Sequence, residues 1–302
     1  MEIVKRLTKT ESFQQLEQKL MRTQTTEEDM LKWQRRLRGF QGEKQFASLV
    51  EKHLTEGIVM FDLILSFNNK EFQIDALLLM QDDIYLFEVK NFSDDIFIKQ
   101  HQFFYVDSGH EIPMLLMQKE RTLQLFNQFL HAHGLNYTVH YYHVFINPDQ
   151  QIFGHMPDNH CLNFVSATHL IKNISNVPNF FPHNHLVKAL MDRHIKQSQY
   201  EKPIQLSFEE CRKGILCECG LYFLQKQTLR KITCPCGKTY SVDEVMERAV
   251  KEISLFFNDK PLTVRQIHLW SDGLLHKKTI SRYLDRNFTK HNETKGRFYT
   301  CN

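Results

Sequence analysis

Apolar and polar residues alternate along this chain in patterns typical of both strands and helices. Apolar runs of strand length occur at 58–67, 71–80, 84–91 and 137–146. Helices are predicted at 1–38, 42–53 and 113–131, with a break at Gly39 and with Pro113 as a first helical residue. An order of helix, strands, helix and strand predicts a compact α/β domain.

The chain divides into four predicted segments. The first two are a polar helical N-terminal arm at 1–36 and an α/β domain at 37–197, with positive charge around Arg35, Arg36 and Arg38 at their junction. A polar linker, 197–203, ends in Pro203 and leads to the last two segments. These are a cysteine-bearing module at 211–242 and a helical unit at 243–302.

Two acidic residues interrupt the second and third apolar runs. A symmetric hairpin turn about Gln81-Asp82 places Asp75 opposite Glu88, on the face that also carries Lys90. Opposed residues have Cβ atoms roughly 4.5–5.5 Å apart, and like charges at that distance are destabilising. A divalent cation between the carboxylates would remove the penalty, and two carboxylate oxygens with water suit Mg²⁺. Such a metal can activate a phosphate for hydrolysis, while Lys90 orients water or neutralises charge.

The alternative for this hairpin is a set of ordinary exposed charges. The neighbouring residues 76–80 and 84–87 are almost wholly apolar, which is typical of strands buried on both faces. Unpaired charges are costly there, so the pattern favours a functional role. The register decides the matter, because a slip of one residue would move Asp75 to the other face.

Two polar residues lie on helical stripes that are otherwise apolar. Glu43 shares a stripe with Phe46 and Val50, and Gln118 shares one with Leu125. We therefore expect both side chains to point toward the core. The alternatives are a first-turn carboxylate favoured by the helix dipole and a helix-surface amide, respectively.

These residues together resemble a known family. Gly42-Glu43 on a helix, Gln73-Ile74-Asp75 on a strand and Phe87-Glu88-Val89-Lys90-Asn91 on the next strand resemble the nuclease-related domain family. This family belongs to the PD-(D/E)xK nuclease superfamily, and the likeness covers roughly residues 36 to 150. Ile74 stands where the family pattern often has Pro, a position that carries no chemistry.

The resemblance implies a restriction-endonuclease-like α/β/α core and Mg²⁺- or Mn²⁺-dependent hydrolysis of phosphodiester bonds. Asp75 and Glu88 would bind the metal, and Lys90 would act at the water. Glu43 would support the metal, and Gln118 would match the polar residue of the following helix. The alternative function is that of a catalytically silent DNA-binding or regulatory protein, which uses the nuclease-like domain only to hold nucleic acid.

Four cysteines form two short knuckles, Cys217-Glu-Cys219-Gly220 and Cys234-Pro-Cys236-Gly237. A hairpin between the knuckles would bring together four thiolates, which make a closed structural Zn²⁺ site. The module resembles a zinc ribbon, although each knuckle has one residue between its cysteines where two are usual. Unliganded thiols are the alternative, as expected for Cys161, Cys211 and Cys301.

The C-terminal unit resembles a helix-turn-helix. A helix starting at Val264, a turn at Ser271-Asp272-Gly273 and a basic helix starting at His276 predict a DNA-binding unit, with 290–299 as a winged-helix-like wing. Ile280 and Leu284 would pack inward. The outward residues that would contact DNA are Lys277, Lys278, Arg282 and Arg286, with Ser281 beside them. A plain helical hairpin with a solvated basic face is the alternative.

Composition limits the remaining choices. An apolar fraction of 42% is ample for a core, and the net charge of +3 is too small to indicate a polyanion partner by itself. The excess lies at the C-terminal end, where 251–302 has ten Lys/Arg and five Asp/Glu. The N-terminus has no apolar signal region, and no run is long enough to span a bilayer. We therefore expect a cytoplasmic protein with reduced thiols, and a protein-interaction scaffold would leave the carboxylates unexplained.

Overall fold

The computed structural model describes residues 1–100, 102–154, 160–196, 198–201, 203–228, 231–257, 261–292 and 296–300. The helices are α1 (Glu11–Arg22), α2 (Glu27–His53), α3 (Met114–Ala132), α4 (Phe164–Ser175), α5 (Asn184–Arg193), α6 (Val242–Phe257), α7 (Val264–Trp270) and α8 (Lys277–Asn287). The strands are β1 (Glu2–Lys5), β2 (Ile58–Phe67), β3 (Lys70–Met80), β4 (Asp83–Lys90), β5 (Ile96–Lys99), β6 (Gln102–Tyr105), β7 (Thr138–Phe145), β8 (Ile152–Gly154), β9 (Cys161–Asn163), β10 (Gln225–Lys226), β11 (Ile232–Thr233), β12 (Thr239–Tyr240), β13 (Thr289–His291) and β14 (Phe298–Thr300).

The chain forms two compact units. The first consists of Met1–Thr10 and Gln34–Tyr200, and the second of Glu11–Trp33 and Glu201–Asn302. No helix in the described ranges is long and apolar enough to cross a membrane.

A six-stranded sheet with the order β1-β2-β3-β4-β7-β9 forms the centre of the first unit. The β2–β3–β4 strands run antiparallel, whereas β4, β7 and β9 are mutually parallel. One face packs on α2 and α4, and the other face packs on α3 and α5. The predicted α/β fold, in three α/β/α layers, is confirmed.

The hairpin register follows the predicted turn. Ala76 pairs with Phe87 and Met80 with Asp83, as a symmetric turn about Gln81-Asp82 requires. Gln81 has a left-handed φ of 52°, which fits the tight two-residue connection. The strands are also buried on both faces, as their apolar runs predicted.

The prediction of one helical arm over the first 38 residues is wrong in three respects. Residues Glu2–Lys5 form a strand parallel to β2, a long-range pairing that no local pattern reveals. The helix α2 also runs unbroken through Gly39. A glycine inside a helix costs about 1 kcal/mol, which the packing of the following helical turns outweighs. The remaining helix, α1, belongs to the second unit and is not a separate arm.

The second unit has one hydrophobic core shared by the cysteine module and the helices. It includes Cys217, Ile253 and Trp270, so a boundary at 242/243 does not separate two cores. Arg22 of α1 is almost fully buried beside them and donates to the Glu252 carboxylate at 2.8 Å. A buried charge requires such a partner, and this pair ties α1 to α6.

Candidate active site

The C-terminal part of α2 lies against the end of β4. A Cβ atom added to Gly42 would lie 2.5 Å from the Cβ of Asn91, so only glycine permits this approach. Asn91 Nδ2 donates to the carbonyl of Arg38 at 2.9 Å, one turn earlier in the helix. The Gly42-Glu43 pair therefore brings the Glu43 carboxylate to the strand that carries Glu88 and Lys90.

Glu88, Lys90 and Gln118 form a hydrogen-bonded group between β4 and α3. Lys90 Nζ lies 2.6 Å from Glu88 Oε1, and Gln118 Nε2 donates to the same oxygen at 2.7 Å. Lys90 Nζ also donates to Gln118 Oε1 at 3.3 Å. Gln118 points inward as its helical stripe predicted, and the fully buried Phe129 lies on the same stripe.

Asp75 is 8% exposed and lies where β3 leaves β4. Its Oδ2 atom accepts the backbone N–H of Val89 at 2.7 Å. Burial, followed by the negative charges of Glu88 and Glu43, holds the pKa of Asp75 well above its usual range. The structure thus brings together the carboxylates that the sequence placed on opposite strands.

The same charges act on the neighbouring groups. Burial, and then the carboxylates of Asp62 and Glu88, raises the pKa of Glu43 to about 7. Burial alone would lower the pKa of Lys90, but Glu88 and Asp75 outweigh it, and the pKa is raised. Lys90 is therefore an ammonium at neutral pH, in a site rich in negative charge.

The sequence did not indicate two further charged residues here. Asp62 of β2 is 6% exposed and has a left-handed φ of 52°, and Lys5 of β1 lies 3.6 Å from its carboxylate. Asp62 is flanked by apolar residues on β2, an anomaly that could have identified it, whereas Lys5 carries no such signal.

A buried tyrosine and histidine of β7 lie on the Glu88 side of the sheet. His143 is the direct partner of Glu88 in the parallel ladder. Burial lowers the pKa of His143 to about 3, so its ring is neutral. The hydroxyl of Tyr141 is buried without a hydrogen bond to any described residue.

Two carboxylate oxygens of the acidic site, one from Asp75 and one from Glu88, suit a hard cation. Asp75 Oδ1 and Glu88 Oε2 accept no hydrogen bond from the described residues, which leaves one oxygen of each carboxylate for a metal. Magnesium accepts one or two carboxylates with water in the other positions. Asp75 and Glu88 therefore fit Mg²⁺ or Mn²⁺ as a two-carboxylate site, which Glu43 does not extend to a cluster of three close ligands among the described residues.

The four cysteines of the two knuckles converge in the second unit. Among the described residues, they are the one group of three or more ligand side chains with all donor atoms within 4.8 Å of one another. The Sγ atoms of Cys217 and Cys236, and those of Cys219 and Cys234, are 3.7 Å apart. A tetrahedral site with Zn–S of about 2.3 Å requires roughly 3.8 Å between sulfurs. The cluster is compatible with zinc.

The other thiols lie outside this cluster. Cys211 is buried and Cys161 is half-buried, whereas Cys301 falls outside the described residues. Burial raises the pKa of Cys161 to about 12, so its thiol is protonated.

The C-terminal residues form α7, a turn, α8 and the β13–β14 hairpin. Ile280 and Leu284 of α8 are fully buried, as predicted. The basic residues proposed to contact DNA are exposed, namely Lys277, Lys278, Arg282 and Arg286. Arg286 also pairs with Asp243 at 3.0 Å, and residues 293–295 of the predicted wing lie outside the described ranges.

The comparisons agree with the geometry of the first unit. Residues 38–146 match the family model described as a nuclease-related domain. No curated protein and no solved structure matches the chain. The matched segment includes Glu43, Asp75, Glu88 and Lys90, which the fold gathers between α2, β3 and β4. This chain therefore contains a nuclease-related domain at residues 38–146.

Proposed function

We propose that this protein is a divalent-metal-dependent nuclease that hydrolyses phosphodiester bonds in DNA. The observation that carries the proposal is the buried Asp75–Glu88 pair, whose repulsion is offset by Lys90 and Gln118 at one carboxylate oxygen. Such an arrangement is costly in a purely structural site, but it is useful where a cation and a phosphate must bind.

Asp75 and Glu88 would hold the Mg²⁺ or Mn²⁺ ion through their available oxygens. When bound, the ion would polarise a phosphate oxygen and lower the pKa of water. Glu43 would support the ion from α2. In the metal-free protein, the pKa of its carboxyl is about 7.

Lys90 acts as a cation and a hydrogen-bond donor in this proposal. Its raised pKa makes it a poor proton acceptor at neutral pH. The ammonium would orient the attacking water or neutralise charge that develops on the phosphate. Gln118 would fix the geometry, because it binds both Glu88 and Lys90.

The second unit would supply DNA affinity and structural support. Lys277, Lys278, Arg282 and Arg286 would contact phosphates from α8 in a helix-turn-helix arrangement. The four cysteines would hold one structural Zn²⁺, whose closed coordination leaves no position for catalysis.

Cleavage assays test the catalytic proposal. Purified protein is incubated with plasmid and linear DNA in Mg²⁺, Mn²⁺ or EDTA. We expect cleavage with either metal and none in EDTA, and at least a roughly hundredfold loss in Asp75→Ala, Glu88→Ala and Lys90→Ala. Lys70→Ala, an exposed lysine of β3, is the matched control and should retain activity.

The same assay separates the two functional hypotheses. The exposed basic face of α8 also suits a catalytically silent DNA-binding protein. Salt-sensitive DNA binding without cleavage under every metal condition would support that alternative. Wild-type activity in any one alanine variant would remove that residue from the mechanism.

A further inference from the structure

The central sheet reverses its packing at one position of β2. Val59 and Phe61 pack on the side of α2 and α4, whereas Leu63 and Leu65 pack on the side of α3 and α5. Residues two apart on a regular strand share a face. The left-handed φ of Asp62, between these pairs, accounts for the reversal.

The neighbouring strand reverses at the opposite residue. Ala76 packs with α2 and α4, but Ile74 packs with α3 and α5, and Asp75 lies between them. The β2–β3 pairs continue on both sides of this position. In contrast, the ladder between β3 and β4 ends at Ala76–Phe87. The β2–β3 hairpin therefore separates from β4 where the acidic site begins.

The side chain of Asp75 replaces the missing ladder contact. Its Oδ2 atom accepts the N–H of Val89 on β4 at 2.7 Å. If the ladder continued, the backbone of β3 would accept this N–H instead. The carboxylate is thus fixed beside Glu88 because the strand has moved away.

Lys5 binds the backbone at the reversal. Its Nζ atom donates to the carbonyls of Phe61 at 2.8 Å and Asp62 at 2.7 Å, and it lies 3.6 Å from the Asp62 carboxylate. The other carboxylate oxygen of Asp62 accepts from Gln73 Nε2 at 3.0 Å. These contacts compensate the cost of burying the Lys5 ammonium, whose side chain is 14% exposed. They also hold Asp62 in a left-handed conformation, which is unusual for a residue other than glycine.

We propose that Lys5 and Asp62 are positioning residues that hold the reversed segment of β2 and thereby set the Asp75 carboxylate in the acidic site. Neither needs to touch the substrate. The consequence for cleavage rests on the proposed nuclease function, whereas the effect on Asp75 does not.

The test uses three variants of the full chain. Lys5→Met removes the ammonium but keeps the aliphatic packing, and Asp62→Ala removes the side chain that supports the left-handed φ. Asp62→Asn is the conservative variant, because asparagine tolerates that φ and can keep hydrogen bonds. Asn68→Ala is the matched control, since Asn68 has a φ of 49° in the distant β2–β3 turn.

The first measurement is amide hydrogen exchange at Val89. We expect Lys5→Met and Asp62→Ala to accelerate exchange at least roughly tenfold, since the Asp75–Val89 bond is lost. Asp62→Asn and Asn68→Ala should remain within about threefold of wild type. Unchanged Val89 protection in both disruptive variants would overturn the proposal, whether or not the protein cleaves DNA.

The second measurement separates positioning from a general loss of folding. Below the melting temperature of every variant, Lys5→Met and Asp62→Ala should weaken Mn²⁺ binding, as measured by electron paramagnetic resonance. They should also lower kcat by roughly 10- to 100-fold with KM nearly constant. A lower melting temperature with normal Mn²⁺ affinity and kcat would indicate a purely structural role and would overturn the proposal. If the wild type cleaves no DNA while Val89 exchange behaves as expected, the nuclease function fails and the positioning stands.

Discussion

Replacing Glu43 with glutamine should stabilise the metal-free protein at alkaline pH. Glu43 is half-buried, and its carboxylate makes no hydrogen bond in the part of the chain that the structure describes. Burial, and then the charges of Asp62 and Glu88, raises its pKa to about 7. Glutamine keeps the shape of the side chain and removes the charge that these neighbours oppose.

The sign and size follow from the difference between the folded and unfolded carboxyl. The folded pKa of about 7 lies above the ordinary value of 4.5, so the folded state binds more protons between these values. The contribution of this carboxyl to stability is therefore greatest below pH 4.5 and is lost as the pH rises through about 7. The difference corresponds to at most about 3 kcal/mol, or roughly 5–10 °C in the melting temperature of a unit this size.

The assay is thermal or urea unfolding in EDTA from pH 5 to pH 9. The gain from Glu43→Gln should be small at pH 5 and full above pH 8. Mg²⁺ should reduce the gain, because a bound cation favours the ionised wild-type carboxylate. Glu51→Gln, an exposed position on the same helix, is the control and should give no pH-dependent gain. A Glu43→Gln protein no more stable than wild type at pH 8 would refute the electrostatic reasoning.

Three other predictions concern separate parts of the molecule. Elemental analysis should find about one zinc per chain, and Cys236→Ser should lower zinc content and solubility, since metal binding and folding are linked; a zinc-free, well-folded wild type would contradict this. Lys277→Gln combined with Lys278→Gln should weaken duplex binding and lower the salt slope by about two, measured by anisotropy; an unchanged slope would make α8 a solvated face. Gly42→Ala should cost about 1–3 kcal/mol and reduce cleavage, because its Cβ would collide with Asn91; unchanged melting and activity would show that the helix need not approach β4 so closely.

Local patterns were sufficient where one physical constraint dominated. The two-residue connection at Gln81-Asp82 determined the hairpin register. The inward direction of Gln118 followed from helical periodicity, because its stripe contains Leu125 and Phe129. The inward directions of the Glu43 and Gln118 side chains could therefore be predicted from the sequence.

Features that depend on contacts distant in sequence were missed. The strand at Glu2–Lys5 exists because it pairs with β2, more than fifty residues away. The role of Lys5 depends on the φ of Asp62, and no pattern of residue types specifies that angle. The burial of Arg22 carries no local signal either, because its partner Glu252 lies 230 positions further along the chain. The shared core of the second unit was also missed, because it joins residues that are far apart in the sequence.

The balance of charge in the first unit bears on the choice between an enzyme and a DNA grip. The negative charges of Asp62 and Glu88 raise the pKa of Glu43, and those of Glu88 and Glu43 raise the pKa of Asp75. The positive charges that oppose these shifts come from Lys5 and Lys90. An excess of negative charge repels a phosphate and lowers the stability of the metal-free fold. A binding surface would gain in both respects from neutral residues at these positions. A divalent cation reverses both penalties, because it is attracted by the carboxylates and in turn attracts the phosphate. The site is thus better suited to phosphodiester chemistry with a metal than to DNA binding without one.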